Sequence, residues 1–158
     1  MPFAIGIDHP KREVNVGTLW RSAFCLGASM IFIVGQRYRT LGQGGDTVKA
    51  WRQIPLLNFR TWDEYRTAAP FGWTPIGIEI GRSATDLRKF HHPKEAVYIL
   101  GSEDGGLTND AAELCKELVV IPSRYCLNVS VAGSIVMYDR AAKKFTPEPA
   151  EAKPTMTP

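Results

Sequence analysis

No uncharged apolar run in this 158-residue chain approaches the roughly 20 residues that a membrane helix needs. The start, MPFAIGIDHPKREVN, has no basic segment followed by a long apolar one, so no secretory leader is expected. Cysteine is scarce. Cys25, Cys115 and Cys126 are odd in number and none stands in CxxC spacing, which argues against a disulfide framework and a zinc site. Reduced thiols in a cytoplasmic protein without a metal are the expectation. Strong charge is also missing: the formal net charge of +3 does not announce a nucleic-acid partner. Two phosphate-binding signatures are absent. GxGxxG does not follow the first apolar segment, and GxxxxGK[ST] occurs nowhere, so neither the usual dinucleotide fingerprint nor a P-loop is present. The GQGG at 42–45 is too isolated to stand for either.

The rest is the composition of one globular domain, 44% hydrophobic and 22% charged, long enough to bury most of its apolar surface. The charge is unevenly spread. Residues 1–70 hold nine Lys/Arg against five Asp/Glu, and residues 71–158 hold ten against eleven. A basic N-terminal half is compatible with a phosphate-rich partner or with an ordinary solvated surface.

Periodicity predicts strands over FAIGI (3–7), Met30–Val34, Pro75–Ile80, Ala96–Leu100 and Leu118–Ile121. Helices are expected where Val16, Leu19, Trp20, Ala23, Phe24 and Leu26 recur, with Gly27 as a stop; over TWDEYRTAA, with Thr61 and Glu64 as a capping box; over Asp110–Glu117; and from Asn128 to about Lys144. Alternating strands and helices argue for one α/β domain, residues 1–145, on a mostly parallel sheet with helices on both faces. The proline-rich tail 146–158 is expected to be disordered.

In parallel sheets, ligands bind beyond the carboxyl ends of the strands. Three segments lie there. NVGTLWR begins with Asn15, which could cap a helix, and includes Arg21, which a snorkelling surface role would explain. GSEDGGLTND places Glu103 and Asp104 among glycines after Leu100; a solvated turn would also read this way. VVIPSRYCLNVSVAGSIVMYDR sets Asn128 and Ser130 into an apolar run. Capping explains one of these polar residues but not both, since such groups bury badly without partners.

Together, NVGTLWR, GSEDGGL and IPSRYCLNVSVA resemble, in this order and with similar separations, the three motifs of the SpoU/TrmH family of SPOUT-class RNA 2′-O-ribose methyltransferases. The resemblance covers about residues 3–144, and the chain is as short as the family's minimal members, which lack an added RNA-binding domain. It implies a C-terminal deep trefoil knot in which the loops after Leu100 and Ile121 thread past each other. It implies S-adenosyl-L-methionine as cofactor, held near Ile78, Gly101, Ile121, Cys126 and Leu127, with cysteine at 126 where many relatives carry serine. It implies Arg21, Asn15, Glu103 and Asn128 as the catalytic group, with Glu103 orienting Arg21 or receiving charge from it. A homodimer through the knot helices would complete the site, and the partner would be RNA, tRNA favoured over rRNA. Lys11, Arg12, Arg37, Arg39, Lys49 and Arg52 are candidate phosphate contacts; Tyr38 and Trp51 are candidate stacking residues. Three alternatives stay open: the same chemistry on rRNA, a catalytically silent knotted RNA-binding protein, and an unrelated doubly wound small-ligand protein.

Overall fold

A computed structural model describes residues 1–38, 49–69, 72–81 and 83–144. Its elements run β1 (Phe3–Asp8), α1 (Glu13–Cys25), β2 (Met30–Val34), β3 (Leu56–Phe59), α2 (Trp62–Ala68), β4 (Thr74–Ile78), β5 (Thr85–Asp86), β6 (Ala96–Leu100), α3 (Asn109–Leu114), β7 (Glu117–Val120) and α4 (Val129–Lys144). Short 3-10 turns occupy Ala50–Arg52 and Leu87–Lys89. The seven strands form one sheet in the order β3-β2-β1-β6-β4-β7-β5, with every pairing parallel. The expected α/β domain on a parallel sheet is therefore observed. The GQGG segment, Arg39 and the 146–158 tail lie outside the described residues.

Burial on both faces explains why the central strands read as unbroken apolar runs. Phe3, Ile5, Ile7, Ile31, Ile33, Tyr98 and Leu100 point to the layer of α1 and α4. Their alternate neighbours Ala4, Phe32, Val34, Val97 and Ile99 pack with Trp62, Tyr65 and Ala111 on the layer of α2 and α3. Helix α1 ends where expected, with Gly27 at φ 81°. Thr61 caps α2 through the Glu64 amide at 3.1 Å, while the Glu64 carboxylate reaches back to the Arg60 amide at 2.6 Å. Strands β3 and β5 were not expected. Each is too short, and β3 carries the exposed Asn58, so neither shows a usable period. Strand β4 stops at Ile78, two residues before its predicted end, and this frees Glu79 for the site.

A buried polar network ties α4 to the sheet. The His92 side chain is fully buried, with Nδ1 2.5 Å from Tyr98 Oη and Nε2 2.9 Å from Asp139. Arg140 donates to Tyr98 Oη at 3.2 Å and to the Pro93 and Lys94 carbonyls. The pattern assigns a neutral imidazole: Tyr98 donates to Nδ1, and Nε2–H donates to Asp139. Burial holds the His92 pKa below its ordinary value, against the pull of Asp139. The unfolded chain therefore takes up a proton that the folded one refuses. The stability this contributes is present above about pH 6.5 and is lost as the pH falls below it. Urea denaturation between about pH 7 and pH 5 should show this loss, and His92→Gln should flatten it. An unchanged pH slope in the variant would refute the assignment.

Candidate active site

The loops after β4, β6 and β7 meet at the carboxyl ends of their strands around a cavity of about 230 Å³. Ile78, Gly101, Ile121, Cys126 and Leu127, the five residues expected to hold a cofactor, all line it. Ile80, Leu100, Val129 and Ala132 add apolar wall, and Glu79, Glu103 and Asp104 bring carboxylates to it.

The loop 101–106 owes its shape to close packing. Ser102 and Gly106 exchange backbone hydrogen bonds at 2.9 and 3.2 Å, bending the chain back on itself immediately after β6. A Cβ on Gly101 would fall 2.3 Å from the Gly106 carbonyl carbon, so only glycine fits. Glu79 clamps the far end of the turn: one carboxylate oxygen accepts from the Leu107 amide at 2.7 Å and the other from its neighbour Ile80 at 2.8 Å.

Three of the four predicted catalytic residues form one hydrogen-bonded chain. Glu103 accepts from Asn15 Nδ2 at 2.7 Å, and Asn15 Oδ1 accepts from Asn128 Nδ2 at 3.0 Å. Asn128 Oδ1 accepts from the Ser130 amide at 2.9 Å and from its hydroxyl at 2.7 Å. Both polar residues at the head of α4 are thus accounted for: Asn128 caps the helix while reaching across to α1, and the buried Ser130 closes the chain.

Asn15 itself is not a cap. Helix α1 starts at Glu13 with Arg12 before it, and Asn15 is buried in the first turn. A carboxylate from across the fold does the work near that helix end. Glu103 accepts from the Lys11 and Arg12 amides at 2.9 and 3.1 Å, where the helix dipole also favours negative charge. Burial alone would raise the Glu103 pKa; the donors from Lys11, Asn15 and Arg12 hold it below its ordinary value. Glu103 is accordingly an anion that orients Asn15.

Arg21 lies six residues beyond Asn15, about 9 Å along α1 and on another face of it. It is exposed and is not part of the cavity wall. Helix α1 packs on α4 through Ser22 and Ser134, whose hydroxyls are 2.9 Å apart. Val14 on α1, with Leu127, Val131 and Tyr138 at and along α4, are large apolar side chains left exposed.

Two carboxylates that anchor the loops around the cavity were missed in the sequence. Glu79 was counted as part of a strand. Asp8, the last residue of β1, is fully buried and satisfies three donors: His9 Nδ1 at 2.6 Å, Trp62 Nε1 at 2.9 Å and the Thr108 amide at 2.7 Å. An acidic residue at the carboxyl end of a parallel strand was the available signal in both cases. Of the candidate RNA contacts, Tyr38 is half-buried against the core, and burial pushes its phenol up to about 12. Trp51 carries Arg52 over its ring at 4.7 Å. All three cysteines are unpaired; Cys25 and Cys126 are exposed. No helix among the described residues is long and apolar enough to cross a membrane. No cluster of three or more metal-ligating side chains occurs among the described residues.

Glu103→Gln tests the chain of contacts. The amide keeps the size but turns an NH2 group toward donors, leaving at least one of them unpaired. Turnover at saturating cofactor should fall on the order of 10²-fold through misplacement of Asn15 and Asn128. Cofactor affinity measured by calorimetry should stay close to wild type. Wild-type turnover would remove Glu103 from any positioning role.

A wholly parallel sheet with a pocket beyond its strand ends defines an α/β protein of the open-sheet class, in which ligand sites commonly lie at that edge. The chain belongs to the SpoU rRNA methylase family, whose model matches residues 2–138. It is 26% identical over 143 residues to the tRNA (guanosine(18)-2'-O)-methyltransferase of Escherichia coli K12, covering 87% of this chain and 62% of that one. The chain thus spans about 62% of the length of this curated relative. The AdoMet-bound rRNA methyltransferase of Sinorhizobium meliloti superposes with a TM-score of 0.80 at 23% identity, over 92% of this chain and 57% of that one. A structure concerned with 2-OH methylation of C/U34 on tRNA superposes at 0.77 and 17% identity, over 90% of both chains. Family membership removes the unrelated small-ligand alternative.

Proposed function

We propose that this chain methylates the ribose 2′-hydroxyl of an RNA, tRNA in preference to rRNA, using S-adenosyl-L-methionine. The observation that carries the reading is the cavity walled by Ile78, Gly101, Ile121, Cys126 and Leu127, next to the Glu103–Asn15–Asn128 chain. Its residues fit the cofactor. The aliphatic walls suit an adenine ring, and the carboxylates of Glu79, Glu103 and Asp104 suit a ligand carrying a sulfonium and an ammonium. The convergence of three post-strand loops on one cavity supports the knotted threading implied by the resemblance.

When bound, S-adenosylmethionine supplies an electrophilic methyl group. The chain's own residues do the rest. Asn128, held by Asn15 and by Ser130, orients the ribose at the head of α4. Arg21 holds a phosphate beside the target ribose and stabilises the negative charge that grows on the 2′-oxygen as its proton passes to solvent water. A guanidinium stays charged in a protein, so Arg21 acts as an electrostatic clamp rather than as a base. Its exposure, with that of Val14, Leu127, Val131 and Tyr138, supports a homodimer through α1 and α4 in which Arg21 meets the partner's pocket.

The tRNA preference leans on the Escherichia coli relative and on the tRNA-related structure that matches over 90% of both chains. An rRNA substrate is favoured instead by the Sinorhizobium meliloti neighbour. Labelled methyl transfer to bulk tRNA and to rRNA, followed by nucleoside mass spectrometry, tests both. A 2′-O-methylated nucleoside should appear from tRNA. Its appearance only from rRNA would correct the substrate. Cofactor binding without transfer to either RNA would support the catalytically silent RNA-binding protein.

A further inference from the structure

On the outer side of the 101–106 loop, two cations from separate segments converge on one carboxylate. Arg37 grips Asp104 with both ends of its fork: Nη2 donates to Oδ1 at 2.6 Å and Nη1 to Oδ2 at 3.2 Å. Lys11 Nζ lies 3.2 Å from the same Oδ2. Arg37 is fixed from behind, because its Nε donates to the His9 carbonyl at 2.9 Å and its amide to the Pro10 carbonyl at 3.1 Å. The guanidinium is therefore held in a set direction, with its fork on Asp104. All three side chains keep substantial contact with solvent: Lys11 is 53%, Arg37 36% and Asp104 44% exposed.

A planar fork plus an ammonium closing on two oxygens of one anion is the geometry in which arginine and lysine receive a phosphate. The fold does not need this arrangement. Exposed ion pairs contribute little stability, and the loop is already held by Glu103 on the Lys11 and Arg12 amides, by the Ser102–Gly106 pair and by Glu79 on Leu107. Asp104 also belongs to the cavity wall, so whatever displaces it is felt at the ligand site.

We propose that Lys11 and Arg37 form a binding site for a phosphate of the RNA backbone, and that Asp104 occupies this site as an internal stand-in until RNA displaces it. The inference rests on the RNA methyltransferase reading and adds a second phosphate, distinct from the one assigned to Arg21. Displacement leaves the Asp104 carboxylate unpaired at the cavity rim. RNA docking is thereby linked to the charge presented to a positively charged ligand in the pocket, and such linkage is reciprocal.

The test is a double-mutant cycle on bulk tRNA binding over a range of salt, using Asp104→Asn, the Lys11→Ala/Arg37→Ala pair and all three changes combined. Asp104→Asn should bind tRNA on the order of threefold more tightly, since two exposed ion pairs no longer compete with phosphate. The Lys11/Arg37 pair should bind more weakly, with the salt slope reduced by about two. The combined variant should match the pair, because the stand-in has nothing left to block. Unchanged or weaker binding by Asp104→Asn overturns the proposal. So does tightening that persists without the two cations, which would be a general charge effect. Methyl transfer by the wild type separates the two readings. Transfer with the wrong cycle overturns the phosphate site alone, whereas a wild type that binds no RNA overturns both.

Discussion

Arg21→Ala should lower methyl transfer to RNA by about 10²–10³-fold, the loss seen when one donor to a developing oxyanion is removed, while cofactor affinity stays at the wild-type level. Two features make this separation sharp. Arg21 is exposed and outside the cavity wall, so its truncation leaves the pocket of Ile78, Gly101, Ile121 and Leu127 untouched. It also lies on a different face of α1 from Asn15, so the Glu103–Asn15–Asn128 chain keeps its bonds. Single-turnover kinetics with saturating cofactor read the chemical step, and calorimetry reads cofactor binding. Arg21→Lys should recover little, because an ammonium cannot reproduce a planar fork on phosphate. Turnover within a few-fold of wild type in the alanine variant would show that the guanidinium takes no part in the reaction.

Gly101→Ala should abolish cofactor binding by closing the pocket from inside the loop. The new methyl group would lie 2.3 Å from the Gly106 carbonyl carbon, 2.5 Å from the Leu107 nitrogen and 2.6 Å from Gly106 Cα. All three are backbone atoms, so no side chain can swing away. Relief requires parting the Ser102–Gly106 bonds, which carries Glu103 and Asp104 with them. Overpacking of this kind costs about 1–3 kcal/mol of stability, and the affinity lost with the pocket should exceed 10²-fold, on the order of 3 kcal/mol. Gly105→Ala is the matched control. Its Cβ would meet only Ser102 Oγ at 3.2 Å, so binding should change little. Equal cofactor affinity in Gly101→Ala and wild type would mean that this loop does not line the ligand site.

The elements that carry the site were readable because their signals are local. The strands ending at Asp8 and Leu100 are apolar runs, the helix from Glu13 is periodic, and Asn128 stands directly before α4. The residues that the resemblance places at the cofactor, Ile78, Gly101, Ile121, Cys126 and Leu127, all line the cavity, with Gly101 and Ile121 directly following their strands.

Local pattern did not reveal partnership. Asn15 looked like a helix cap because asparagine near a helix start commonly is one; its actual partners, Glu103 and Asn128, are 88 and 113 residues away. Asp8, Glu79 and Asp104 looked like loop or strand residues for the same reason. Each bonds across the fold to Thr108, Leu107 or Arg37, at separations of 100, 28 and 67 residues. By itself the sequence determined which segments are strands and helices, and which residue types gather at the carboxyl edge of the sheet. Only the tertiary structure decided which carboxylate meets which donor. Burial pattern follows from the period of the chain, whereas a hydrogen bond depends on where distant loops come to rest once the sheet has ordered its strands.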